Sequence, residues 1–427
     1  MRSRADGEAV AMTSRDVARG VGASRVVGEA LRAIDAETKL AGILESDYEF
    51  ALDSTSTSTL AVALMAEVLG GPSARWRAYC DALPREVDSL TMWSDDELAA
   101  LQGSALAARA KERRALVQRE YDALFPALAE ARPETFGDER MTPELFRWAY
   151  ATVLARAFAL PDLNCMALLP GLDLFNSARD ADKCVVELGA KGGVEGATVT
   201  LAVGVGGANA GDQLFHDYAD HASGGALLEF GFVYHGDYER DIGSYAMDVS
   251  LKPALEALDD ASRRSLVDRD VFGAFNIRRS LTFEISNVGG VYKPALKGLA
   301  CVKPEMMRAA RALALRPSDA IPGSLDAPLD EAVERRALRL LADTFARERE
   351  RYSATTIDED AALLAHVLQN PTDVARCVDI RSDVARAATP PSARFARRFP
   401  MALEVRLGEK RLLDSISADL ARVVGYH

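Results

Sequence analysis

The sequence predicts an α+β protein: a small β-rich core interrupted by an inserted helical subdomain, followed by a separate all-α C-terminal lobe. Three observations carry that prediction. Short apolar runs broken by Gly, Asn and Asp cluster between residues 164 and 218, the texture of short strands and tight turns. Ahead of them, from about residue 60 to 160, apolar residues recur at helical spacing. Beyond about residue 255 the helical spacing returns and continues to the end.

Taken in order, the first sixty residues are mixed. ARGVGASRVVGEAL (18–31) has small residues and short apolar stretches that suit turns and short strands. The run Ser54–Thr59 then leads into LAVALMAEVLG, where Leu60, Leu64 and Val68, with Ala63 between them, share a helical face that Gly70-Gly71-Pro72 ends. Glu97–Leu101 and Ala105–Leu124 are rich in Ala, Leu, Glu and Arg, and Pro126 marks a break just beyond. The next helix declares its own start, with Thr142 as N-cap and Pro143 at the first helical position. Phe146, Tyr150, Val153 and Ala157 form its apolar stripe.

Four runs then read as strands: CMALLP (165–170), KCVVELGA (183–190), ATVTLAV (197–203) and DQLFHDY (212–218). GALLEF (225–230) reads as a short helix with Ser223 as its cap. Amphipathic helices are predicted near 253–266, 304–315, 329–352, 358–369 and 401–422, with the Pro- and Gly-rich RPSDAIPGSLDAP (316–328) as a loop.

Composition excludes several classes. The 427 residues, 48% hydrophobic and 27% charged, suit a globular protein with room for two or three domains. A formal charge of -13 argues against a protein that coats nucleic acid, because phosphate binding needs clustered Lys and Arg. It suits a basic partner segment, although acidity of this size is also ordinary. The five cysteines are scattered with no CxxC pair, so neither a zinc site nor a disulfide framework is expected. The five histidines show no HExxH spacing, and no metal is predicted. No run of about 18 apolar residues spans a bilayer. The first twenty residues hold arginines but also Asp6 and Glu8 and no apolar stretch, unlike a secretory signal. The expected compartment is the cytoplasm or nucleus, with the chloroplast as the alternative.

Four segments carry chemistry in a fixed order. Arg19-Gly20-Val21-Gly22-Ala23 is a glycine-rich turn before a strand. ARAF places Arg156 and Phe158 near a helix end, and LLPGLDLFNS places Asp173, Asn176 and Ser177 after an apolar strand. GDQLFHDY followed by GALLEFGFV sets Tyr218 ahead of Phe230, Gly231 and Phe232. In order, spacing and texture these segments resemble the SET domain of the family that includes the Rubisco large-subunit lysine methyltransferases. The resemblance extends to SARWRAYCDALP (73–84), MWSDDELAALQGSAL (92–106), RYSATTIDEDAALL (351–364) and ALEVRLGEKRLL (402–413), and so spans about residues 16 to 420. It implies a division into 14–60 and 151–245 as the two parts of a SET domain, 61–150 as the inserted helical subdomain, and 253–427 as a helical substrate-binding lobe.

The same resemblance implies S-adenosyl-L-methionine as cofactor and methylation of a lysine on a folded protein, with no nucleic acid or membrane partner and a monomeric chain. Gly20, Val21 and Gly22 would let the backbone approach the donor closely. Asn176 would pair its zwitterion through an amide that both donates and accepts, and Arg156 would hold a cofactor carboxylate or a substrate carbonyl. Asp173 and Ser177 complete that grip, and Phe232 would stack on the adenine. Phe158 and Phe230 would line the channel for the acceptor amine, and Tyr218 would orient that amine. For Phe158 and Phe230 the plain alternative is core packing, for Asn176 a turn residue, and for Tyr218 a tyrosine of the core or sheet surface. The chain departs from the family pattern at Ser177 for His, Ala219 for Gly, Phe230 for Tyr and Ser223 for Asn. Of these, Ser177, Ala219 and Phe230 motivate a non-catalytic binding module as one alternative, while Ser223 can still cap. A protein-histidine methyltransferase is the other, since a sister branch that acts on actin carries Asn two positions after the arginine. Phe158 stands there instead, an apolar wall suited to a lysine stem.

Overall fold

The computed structural model describes residues 12–13, 54–70, 74, 76–131, 133–137, 139–160, 165–177, 185–190, 197–202, 209–216, 218, 222–234, 245–287, 296–370 and 393–425. The chain divides into two compact units. The first comprises Met1–Trp93, Ala108–Ala219 and Leu228–Gly231; the second comprises Ser94–Ala107, Asp220–Leu227 and Phe232–His427.

The first unit holds the strands β1 (Met12–Thr13), β2 (Phe158–Leu160), β3 (Cys165–Leu168), β4 (Asn176–Ser177), β5 (Val185–Ala190), β6 (Ala197–Ala202) and β7 (Phe215–His216). An antiparallel sheet runs in the order β1-β3-β2, β5 and β6 form an antiparallel pair, and β4 pairs with β7 in parallel. Its helices include α1 (Ser54–Leu69), α2 (Arg77–Ala82), α3 (Ala105–Ala131, from Ala108 on) and α4 (Pro143–Arg156). Leu60, Leu64 and Met65 of α1 pack with Phe146 and Val153 of α4 and Met166 and Leu168 of β3 in one buried cluster.

Two helix boundaries differ from the sequence expectation. The Ser54–Thr59 run is not a lead-in but the start of α1. Serine and threonine are poor helix formers because their hydroxyls compete for backbone groups. Here the Thr57 hydroxyl meets the Met166 sulfur at 3.8 Å and the Ser58 hydroxyl donates to the Glu120 carboxylate, so both find tertiary partners instead. Pro126 does not break α3, which runs through it to Ala131. The carbonyl that a proline there leaves unbonded belongs to Asp122, at an exposed position where water can take the bond. Leu124, Phe125 and Leu128 anchor the helix on both sides.

The start of α4 is as read: the Thr142 hydroxyl accepts from the Leu145 amide at 3.2 Å, with Pro143 in the first turn. Thr142→Ala is expected to cost about 1 kcal/mol by orphaning that amide. Urea unfolding followed by tryptophan fluorescence measures it, and an unchanged midpoint would show the cap to be idle. The helix is buried on more than its predicted stripe, since Trp148, Ala149, Ala151, Thr152 and Leu154 are buried as well.

The second unit contains α5 (Ser223–Glu229, through Leu227), a strand pair, and the long helices of the C-terminal half. Ser223 does not cap α5. The Ala226 amide bonds to the Ala222 carbonyl at 2.8 Å, so the cap position belongs to Ala222, and the Ser223 hydroxyl has no hydrogen-bond partner among the described residues. The lobe is also not helical throughout. β8 (Ala246–Ser250) pairs antiparallel with β9 (Thr282–Ser286), Ala246 opposite Ser286 and Val249 opposite Phe283. Both strands alternate, burying Met247 and Val249, and Phe283 and Ile285, a period-two signal that the surrounding helical pattern masked. These side chains join a core with Met306 and Leu313 of α6 (Pro304–Leu313), Leu341 and Phe345 of α7 (Glu331–Glu350), and Leu413, Ile416 and Leu420 of the C-terminal helix.

Helices α8 (Ile357–Gln369) and α9 (Ala393–Val424) pack together around buried charge. Asp360 takes Arg406 and Lys410 as partners, while the Glu409 carboxylate accepts from the Ser104 and Tyr352 hydroxyls at 3.0 and 2.7 Å. Glu97, in the short Asp95–Ala99 helix that Ser94 caps, pairs with Arg398 at 2.8 Å. No described helix is long and apolar enough to cross a membrane.

Candidate active site

The site is built on the turn that follows β3. The Leu172 and Asp173 amides both bond to the Leu169 carbonyl, at 3.0 and 3.2 Å. The turn passes through Gly171 at φ 92°, a conformation that side-chain-bearing residues resist. This geometry tucks the Asp173 side chain wholly out of solvent. Its carboxylate accepts from the Tyr79 hydroxyl of α2 at 2.7 Å, from the Gly171 amide at 3.2 Å and from Arg156 Nη1 at 3.5 Å. The same Arg156 nitrogen donates to the Asp173 carbonyl at 2.9 Å. Burial raises the Asp173 carboxyl above the usual carboxylate range, although Tyr79, Arg156 and the Gly171 amide each pull it down. Burial and the neighbouring carboxylate hold the Tyr79 phenol far above its ordinary value, so it stays a neutral donor.

From this turn the chain enters β4, where Asn176 lies beside Phe215 and Ser177 beside His216. The Tyr218 amide donates to the Ser177 hydroxyl oxygen at 3.3 Å, and the Tyr218 hydroxyl donates to the Phe175 carbonyl. The Tyr218 ring meets Phe230 edge-on, with centroids 5.2 Å apart at 68°. Phe230 is fixed by its neighbours: the Ser89 hydroxyl donates to the Leu228 carbonyl at 2.8 Å, and Arg113 pairs with Glu229 at 2.8 Å. Gly231, at φ 82°, allows the chain to pass against the Asp88–Ser89 backbone, which a Cβ would strike.

The structure therefore brings Arg156 onto Asp173, and Ser177 and Phe230 onto Tyr218, with Asn176 in β4 on the segment between the two groups. Phe158 opens β2 two residues after Arg156, half-buried and opposite Ala167. Phe232 belongs to the second unit, its ring 5.1 Å edge-on from Tyr234. Gly20, Val21 and Gly22 lie outside the described residues, as does Ala219. Sequence reasoning missed Tyr79 and the Phe175 carbonyl. The only signal for Tyr79 was its place in the SARWRAYCDALP segment, and a main-chain carbonyl leaves no signal at all.

What these groups can hold follows from their chemistry. Asn176 is exposed and offers both a donor and an acceptor, as an amino-acid zwitterion requires. The Tyr218 proton is committed to a carbonyl, so its oxygen remains an acceptor beside an aromatic wall. That set fits S-adenosyl-L-methionine. Among the described residues no group of three or more His, Cys, Asp or Glu side chains is placed to hold a metal ion.

The fold defined by these elements is the SET fold. The chain matches the crystal structure of the SET domain of LSMT bound to MeLysine and AdoHcy with a TM-score of 0.62, over 97% of this chain and 80% of that one, at 19% identity. Residues 296–413 match the family model described as Rubisco LSMT substrate-binding. Two curated relatives extend the likeness. The chain is 25% identical to the chloroplastic fructose-bisphosphate aldolase-lysine N-methyltransferase of Arabidopsis thaliana, over 80% of this chain and 63% of that protein. It is 25% identical to the actin-histidine N-methyltransferase of Drosophila melanogaster, over 53% of this chain and 43% of that protein. The chain thus spans less than two thirds of the length of either relative. The resemblance to Rubisco LSMT-like SET proteins read from the sequence is borne out by the fold and by the family-model match over residues 296–413.

Proposed function

We propose that this chain is an S-adenosyl-L-methionine-dependent protein-lysine N-methyltransferase acting on a folded protein. The observation that carries the proposal is the Tyr218 hydroxyl, whose proton goes to the Phe175 carbonyl next to Asn176 while its ring stands edge-on to Phe230. The bound donor would supply an electrophilic methyl group on a sulfonium. The chain's own residues do the rest. Gly20, Val21, Gly22, Asn176 and Ser177 bind the donor, Arg156 adds its guanidinium with Asp173 behind it, and Phe232 stacks on the adenine. The Tyr218 oxygen accepts from the substrate amine and so aims its lone pair. A lysine amine of pKa about 10.4 must be neutral to react. Phe158 and Phe230 exclude water around it and thereby disfavour the charged form. Holding the two reactants in line supplies much of the rate.

The division into 14–60, 61–150, 151–245 and 253–427 belongs to the same proposal, with the last segment holding the protein substrate. So do a monomeric chain, the absence of nucleic-acid and membrane partners, and a cytoplasmic or nuclear location with the chloroplast as the alternative. Relatives of both acceptor types match this chain, so the choice rests on Phe158, which has no hydrogen-bonding group for an imidazole. Labelled donor incubated with host-cell proteins, then with lysine and histidine peptides cut from the labelled band, tests the reading. Label on lysine is expected. Label on histidine overturns the acceptor, and donor binding without transfer to any protein favours a binding module.

A further inference from the structure

We propose that Tyr79 is a positioning residue for the transfer site: its hydroxyl, from α2, holds the Asp173 carboxylate and through it sets both Arg156 and the turn leading to Phe175 and Asn176. The inference rests on the function proposed above. Tyr79 lies 94 positions before Asp173, is 8% exposed, and places its oxygen 2.7 Å from the carboxylate. Asp173 has no exposed side-chain surface, so no water is at hand to replace a lost donor. Its remaining partners are Arg156 of α4, whose side chain is 21% exposed, and the Gly171 amide of its own turn.

The consequence is physical. A buried carboxylate stays ionised only while enough donors face it. With Tyr79 and Arg156 both present, Arg156 is pinned to the Asp173 carbonyl and carboxylate together. Three residues along, Asn176 stands at the end of the same turn, and between them the Phe175 carbonyl receives the Tyr218 proton. Removing the Tyr79 proton favours the neutral Asp173 acid, which no longer attracts Arg156, and slackens the turn that carries the other groups. Tyr79 thus reaches the donor site without touching it.

Tyr79→Phe keeps the ring in the core and deletes only the oxygen. Calorimetry with S-adenosyl-L-homocysteine, from about pH 5 to pH 9, is the measurement. The wild type is expected to bind throughout, weakening on the acid side as Asp173 is protonated. Tyr79→Phe is expected to bind roughly tenfold more weakly at neutral pH, with the acid-side loss moved to higher pH and affinity recovering toward wild type at alkaline pH. Asp173→Asn, which needs no change at Tyr79, is expected to show the weakened affinity at every pH. A uniform loss in Tyr79→Phe at all pH values would mark a merely structural role and overturn the inference. Wild-type affinity and pH dependence in either variant would overturn it as well. Absence of binding by the wild type itself would remove the proposed function and this inference together, an outcome distinct from both.

Discussion

Tyr218→Phe is expected to slow methyl transfer by about 10²–10³-fold, the usual loss when one group aligned with developing charge is removed, while affinity for S-adenosyl-L-homocysteine changes little. The substitution is nearly isosteric, and the ring's edge-on contact with Phe230 does not involve the oxygen. What disappears is an acceptor with a fixed direction. In the native chain the hydroxyl proton goes to the Phe175 carbonyl, so toward a substrate amine the oxygen can act only as an acceptor. Its task is to orient an amine, which is felt in kcat and not in donor affinity. Single-turnover kinetics with saturating donor separates the two. A Tyr218→Phe protein that transfers methyl at the wild-type rate would remove Tyr218 from the chemistry and leave it a packing residue.

The parts of this site that were legible in the sequence are those that depend on local order. Thr142 and Pro143 announced α4 because capping is decided within four residues. Asp173, Asn176 and Tyr218 stand out through the order of short segments; in the structure Asp173 holds Arg156, and Tyr218 bonds to Ser177 and to the Phe175 carbonyl beside Asn176. What escaped is what tertiary contact decides. Nothing in either segment tells that Tyr79 reaches Asp173, because a hydrogen bond across 94 positions leaves no periodicity. Ser54–Thr59 reads as a lead-in because propensity alone takes no account of Met166 and Glu120, which satisfy two of its hydroxyls. Pro126 read as a stop because the sequence does not show that Asp122 is exposed. The β8–β9 pair was hidden by distance: its two strands are separated by short helices, and each alone is too short to outweigh the helical pattern around it.

Asp360→Asn is expected to give the largest stability loss, about 3–5 kcal/mol, the range for breaking a buried ion pair by removing one partner. The Asp360 side chain is fully buried and receives Arg406 Nη2 and Lys410 Nζ, each at 2.6 Å, with Arg406 Nε at 3.1 Å and the Thr355 hydroxyl at 2.7 Å. Burial alone would raise its pKa, but these donors together hold it below the usual range. An amide cannot balance two cations that are 5% and 0% exposed. At about 2–4 °C per kcal/mol for a unit of this size, the loss corresponds to a fall in Tm of roughly 6–20 °C. The pH dependence carries a sign. Because the folded-state pKa is depressed, the Asp360 contribution is complete above its unfolded value near 3.9 and disappears as pH falls through the folded value. Glu409 acts in the opposite sense. Burial lifts its carboxyl to about 7, since its hydrogen-bond donors, Tyr352 and Ser104, are neutral hydroxyls. Its contribution is complete below about 4.3 and is lost as pH rises through about 7. The second unit is therefore expected to be most stable on the mildly acidic side of neutrality, and Asp360→Asn to remove the Asp360 share of its acid limb. Helical circular dichroism against temperature at several pH values measures this. The protein's three tryptophans, Trp76, Trp93 and Trp148, all lie in the first unit, so their fluorescence follows that unit separately. A helical Tm unchanged by Asp360→Asn would mean that Arg406 and Lys410 find other anions without cost, and that the buried cluster is not what holds α8 against α9.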